Sequence, residues 1–73
     1  MKYVKLVIEA KNPETDIWVA DDEGNLVQKE IGRMDTSLMP GNYVVHFGLK
    51  NEGMKFSLLS TLDCLTITEG QQR

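Results

Sequence analysis

The sequence predicts an all-β fold, a small antiparallel β-sandwich of about seven strands. Three observations carry that expectation. Apolar residues recur with period two in a series of short runs, and turn-forming residues punctuate the chain at roughly ten-residue spacing. No window holds apolar residues at i, i+3, i+4 and i+7 without an intervening Gly, Pro or β-branched cluster, so no helix of useful length is expected.

In the first run, Val4, Leu6, Ile8 and Ala10 share one face while Tyr3, Lys5, Val7 and Glu9 share the other, the pattern of a half-buried strand. Pro13 ends it, because proline has no amide proton to give and biases Asn12 away from helix. The second run, residues 16–21, turns Ile17 and Val19 inward and Trp18 and Ala20 outward. Asp22-Glu23-Gly24-Asn25 then reads as a hairpin turn in which Gly24 supplies the positive φ of a short loop. Residues 26–31 form the third strand. After Gly32 and Arg33, the side chains of Met34, Thr36 and Leu38 fall in phase as a weaker strand or extended loop.

Met39-Pro40-Gly41-Asn42 carries the chemistry of a type II turn, with Pro40 presetting φ and Gly41 expected at φ > 0. Tyr43, Val45, Phe47 and Leu49 line one side of the fifth strand, opposite Val44, His46 and Gly48. A turn at residues 50–53 leads to Met54, Phe56 and Leu58 in phase. The last strand, residues 62–68, has Leu65 and Ile67 in phase and Leu62 out of phase, so a bulge or a displaced start is expected near Asp63.

The chain of 73 residues fits one domain, read here as residues 1–69, with residues 70–73 as a flexible tail or the start of a linker. At that size only about 60% of the unfolded surface is buried, which leaves one thin core and little room for a deep catalytic cleft. A net charge of −3, from eight basic and eleven acidic side chains, argues against nucleic-acid binding, which draws on many Lys and Arg contacts to phosphate. No apolar stretch approaches the roughly 20 residues of a membrane span, and the N-terminus lacks the apolar core of a signal peptide. The single cysteine, Cys64, makes no internal disulfide, which suits a reducing cytoplasm.

With strands and turns in place, the order of signals resembles the PEGA domain, a bacterial β-sandwich module, and more loosely the carboxypeptidase regulatory-like and prealbumin-like sandwiches. Leu6-Val7-Ile8-Glu9-Ala10 followed by Pro13-Glu14-Thr15-Asp16-Ile17-Trp18-Val19 is similar to the strand, Pro-Glu turn and strand of that family, and Leu38-Met39-Pro40-Gly41-Asn42-Tyr43-Val44-Val45 to its later Gly turn leading into Tyr-x-Val. Three features depart from the pattern: Thr15-Asp16 replaces Gly-Ala, Gly32 stands without its Thr-Pro, and the closing Gly-Tyr is missing. The resemblance implies an immunoglobulin-like or prealbumin-like sandwich acting as a non-catalytic accessory module, often attached to something larger, with no catalytic residues to carry over.

The candidate functional residues are therefore surface features. Asp21, Asp22 and Glu23 are the densest group of oxygen ligands, yet their order is not that of an EF-hand, and a solvated hairpin turn explains them. His46 and Cys64 would make a minimal Cys-His pair if they met, but a lone cysteine in a strand is more often a small buried hydrophobe, and no nucleophile, base and orienter stand together. No metal or cofactor is expected. Trp18, with Tyr3 and Val7, either builds an apolar patch for a protein partner or a sugar ring, or is covered and belongs to the core. Thr66 and Thr68 mark a strand with little edge protection, suited to pairing with a second copy or a partner domain.

The expectation for function is a non-catalytic protein-interaction or accessory module, working with a protein partner or within a parent polypeptide. A small free-standing inhibitor or phage-type structural protein, and a carbohydrate-binding module, are the alternatives.

Overall fold

Among the described residues seven strands form, and they pair as two sheets. A computed structural model describes residues 2–48 and 53–70. The strands are β1 (Val4–Glu9), β2 (Asp16–Asp21), β3 (Leu26–Ile31), β4 (Arg33–Leu38), β5 (Gly41–Phe47), β6 (Met54–Leu58) and β7 (Cys64–Thr68). One sheet has the order β4-β1-β7 and the other the order β3-β2-β5-β6. The chain is thus an all-β sandwich of three strands on four, without a helix among the described residues and so without one long and apolar enough to cross a membrane.

Period-two patterning decides which side chains fill the space between the sheets. Val4, Leu6 and Ile8 from β1, Met34 from β4, Ile17 and Val19 from β2, Val45 and Phe47 from β5, Leu58 from β6 and Ile67 from β7 make one cluster, with Ala10, Leu38, Tyr43, Phe56, Leu62 and Leu65 packed at its rim. Those within strands fall in the phase that their strand's alternation assigns to the interior, while Ala10 and Leu62 pack from just outside β1 and β7. The core contains no buried polar or charged residue among those described, so its cohesion is apolar throughout. The edge strand β3 contributes nothing to it. At the inward positions of β3 stand Gln28, whose side-chain amide donates to Glu30 at 3.1 Å, and Glu30 itself. Polar and charged residues facing inward on an edge discourage pairing with another sheet.

Two features depart from the expected antiparallel sandwich with a Pro-Gly hairpin. β7 runs parallel to β1, with Leu6 opposite Leu65 and Ile8 opposite Ile67. All other pairings are antiparallel. Gly41 does not take positive φ; the glycines that do are Gly24, Gly32, Gly48 and Gly70. The physical reason lies in where the turn leads: residues 39–40 carry the chain from β4 in one sheet to β5 in the other, so the link is an arch between sheets and Gly41 is already the first extended residue of β5, paired with Leu58. The Tyr43 hydroxyl fixes the arch by donating to the Met39 carbonyl at 2.6 Å. Burial pushes the Tyr43 phenol up, with the carboxylates of Asp21 and Asp22 adding to the shift.

The last strand begins at Cys64, a displaced start, after a turn in which the Leu62 amide donates to the Leu59 carbonyl. A separate irregularity lies in the β2–β3 hairpin, where the register shifts between Val19 and Ala20. The expected turn at residues 50–53 and the inward Leu49 lie outside the described residues, Gly53 excepted.

Candidate functional site

The hairpin acids are held by their own turn. Asp21 Oδ1 accepts the backbone N–H of Glu23 at 3.0 Å and of Asn25 at 2.9 Å, and its carbonyl accepts from Gly24 at 3.1 Å. An aspartate in this position substitutes for backbone in closing the loop. The Asn25 amide is the main influence holding the Asp21 carboxyl below its ordinary value, with bonds from Glu23 and Gly24 in the same direction. Among the described residues no group of three His, Cys, Asp or Glu side chains is arranged to hold a metal ion. A cleft of about 520 Å³ lies beside this turn, lined by Asp21, Asp22, Tyr43, Val44, Lys55 and Ser57 among others. Asp21 on its wall is already bonded by the turn amides, and Lys55 lines the same cleft as the two acids.

A carboxyl held below its ordinary value stabilises the fold in its charged form. That contribution is fully present above the unfolded value and is lost as pH falls through the lower, folded one. Asp21→Ala is expected to lower the melting temperature at neutral pH, and the gap to wild type is expected to shrink as a melting series descends below the ordinary aspartate range. A gap that stays constant with pH would show that the carboxylate bonds are not what the substitution removes.

Trp18 and Tyr3 do not form one patch. Trp18 is on the outer face of the four-stranded sheet, between Lys29 on β3 and His46 on β5, whereas Val7 is on the outer face of the three-stranded sheet and Tyr3 just precedes β1. The outer faces of a sandwich point in opposite directions. The Trp18 ring is half-buried and has the Lys29 ammonium 4.7 Å from its centroid, a cation–π contact. Its indole Nε1 is buried and has no hydrogen-bond partner among the described residues. On the same face, the Gly53 backbone lies so close to the Val44 and His46 side chains that a Cβ there would collide with them. This face is partly covered by its own chain, and the Lys29 ammonium occupies the ring where a sugar would stack.

His46 and Cys64 sit on different sheets and do not pair. Cys64 is an exposed free thiol, not a small buried hydrophobe. The phase of Leu65 and Ile67 already turns residue 64 outward, which is the signal that identifies it.

What the structure does assemble is an open seam. The β3 and β4 edges lie beside one another through the connection at Gly32. On the opposite side the four-stranded sheet overhangs the three-stranded one, and a cleft of about 160 Å³ separates β6 from β7, lined by Met54, Lys55 and Phe56 on one bank and Leu65, Thr66, Ile67 and Thr68 on the other. Lys5 N donates to the Asp63 carbonyl and Glu69 N to the Glu9 carbonyl. In a parallel ladder with the register Lys5 to Cys64, these bonds set alternate residues 63, 65, 67 and 69 toward β1 and leave the N–H and C=O of Cys64, Thr66 and Thr68 pointing into the seam. On β6 the same argument runs from Gly48 N, which donates to the Asp16 carbonyl: Val44 and His46 bond toward β2, Tyr43 and Val45 toward β6, and Lys55 and Ser57 on β6 are left facing the seam.

The fold and seam define a class, a small β-sandwich with one unclosed side. No family model, curated protein or solved structure matches the chain.

Proposed function

We propose that the protein is a non-catalytic interaction module that binds a protein partner by strand addition at the β6–β7 seam. The observation that carries this is the pair of facing edges with backbone donors and acceptors directed into an apolar cleft, where Met54 is 43% exposed and Phe56 half-buried. An extended segment entering there continues the β4-β1-β7 sheet by one strand, covers the overhanging Phe56 and Met54, and takes up the free groups of Thr66 and Thr68. The resemblance to PEGA-like accessory sandwiches supports the same role.

Thr66→Pro tests it. The substitution removes a donor that faces the seam and is not part of the β1 ladder, so an edge strand should accept it and keep its melting behaviour. Proteins retained by the immobilised wild type are expected to be released by this variant. An identical retained set on both, with the variant folded, would overturn the reading.

A further inference from the structure

We propose that the cleft beside the β2–β3 turn, on the outer face of the four-stranded sheet and apart from the seam, binds a short zwitterionic peptide, its ammonium at Asp22 and its carboxylate at Lys55. The cleft has about 520 Å³, within the usual range of small-ligand sites. Two cross-strand pairs build its floor: Val44 on β5 stands opposite Lys55 on β6, and Asn42 stands opposite Ser57. Val45 and Phe47 face the core, so the alternation of β5 sends Asn42 and Val44 to the outer face, and Lys55 and Ser57 share it as their directly opposite partners. The wall is the β2–β3 turn, which carries Asp21 and Asp22. Asp21 Oδ1 accepts two turn amides, which holds that wall in place and leaves Asp22 as the acceptor for an ammonium group.

The two charges of the cleft do not meet. Neither Asp22 nor Lys55 enters an ion pair with the other or with any other described residue. β5 lies between β2 and β6, and neighbouring strands are about 4.8 Å apart, so the acidic wall and the β6 bank stand about 10 Å apart from backbone to backbone, less the reach of the two side chains. A simple cation would meet Lys55 there, and a simple anion would meet the two acids. Only a ligand with both charges gains at both banks, and a free amino acid, with both on one α-carbon, is too short to reach them together. An extended chain advances about 3.3–3.6 Å per residue, so about two or three residues place the two termini at the two banks. The middle of the cleft suits peptide groups. Ser57 Oγ donates to Asn42 Oδ1 at 2.7 Å, which leaves the Asn42 amide N–H groups to donate to a peptide carbonyl and the Ser57 oxygen to accept a peptide N–H. Val44 between them gives an apolar floor for a small side chain.

Trialanine is the probe, with N-acetyl-trialanine, trialanine amide and free alanine as controls. Titrations followed by backbone amide NMR at low ionic strength are expected to move the Asp22, Asn42 and Val44 resonances and to leave Cys64, Thr66 and Thr68 on the seam in place. Blocking either terminus is expected to weaken binding about two- to five-fold, the worth of one exposed ion pair, and added salt is expected to remove the difference. Lys55→Met should bind trialanine and its amide alike, and Asp22→Asn should bind trialanine and its acetyl form alike. Both residues are exposed, so both variants should keep the melting behaviour of the wild type. Equal binding of all three tripeptides to the wild type overturns the proposal, as does free alanine binding as tightly as trialanine. Shifts confined to Cys64, Thr66 and Thr68 would put the peptide in the seam and overturn the cleft site. No shift at the cleft amides, up to the solubility limit of the peptide, overturns it as well.

Discussion

Ile8→Ala is expected to cost about 3–4 kcal/mol of folding stability, the range for emptying a well-packed aliphatic site. Ile8 is fully buried on the central strand of the three-stranded sheet, between Met34 on β4 and Ile67 on β7, and it faces the four-stranded sheet across the core. Its neighbours are anchored in ladders on both sides, so they have little freedom to collapse into the space vacated. A domain of this length has only about 4–11 kcal/mol of stability in total, so the loss is a large fraction of the whole. At about 4–8 °C per kcal/mol, the melting temperature should fall by roughly 12–30 °C. Leu59→Ala supplies the comparison: Leu59 is 56% exposed in the turn before β7, and its truncation should change stability by no more than about 0.5 kcal/mol. Denaturant titrations read through the single tryptophan, Trp18, measure both. Similar losses for the two variants would mean that the β1 face is not the centre of the core.

The inward placement of residue 8 was legible from the sequence, because alternation along a strand reports inward or outward directly. The same phase rule places Val45, Phe47, Leu58 and Ile67 inside. It does not report which sheet a strand joins. Tyr3, Val7 and Trp18 all read correctly as off the core-facing phase of their segments, yet the grouping of them as one patch fails because β1 and β2 pair with different neighbours. Sheet membership is a long-range property, fixed by how the whole set of faces closes, and consecutive strands here change sheets four times: β1 to β2, β3 to β4, β4 to β5 and β6 to β7. The parallel β1–β7 pair is hidden for the same reason, since it joins the first strand to the last. Pro40-Gly41 shows the limit of turn chemistry as well: the dipeptide marks a change of direction, but a link between sheets needs a different backbone from a hairpin. The seam was half legible. The uncharged strand around Thr66 and Thr68 is visible in the sequence, whereas the overhang of β6 that makes it a cleft follows only from the count of strands in each sheet.

Gly32→Ala should be among the most damaging single-atom additions in the chain, with an expected cost of about 3 kcal/mol or more. Two independent terms contribute. Gly32 has φ of +78°, where a Cβ costs roughly 1–2 kcal/mol against the adjoining carbonyl. In addition, a Cβ at this position would stand 2.7 Å from the Pro13 carbonyl oxygen and 3.1 Å from Pro13 Cα, backbone atoms that have no rotamer through which to withdraw. Relief by moving the backbone is closed off too, because Gly32 N donates to the Thr15 carbonyl at 2.8 Å and the Gly32 carbonyl accepts from Ala10 N at 2.9 Å. These bonds tie the β3–β4 crossing to the end of β1 and the start of β2, so any displacement is shared by both sheets. Gly24→Ala separates the two terms. Gly24 has φ of +87° but nothing within 4 Å of an added Cβ, so only the conformational term applies, about 1–2 kcal/mol. Thermal melts of the two variants should therefore differ by several degrees at the least, with Gly32→Ala the lower. Equal melting temperatures would show that the Pro13 turn moves aside without cost and that the corner where the sheets meet is softer than its hydrogen bonds indicate.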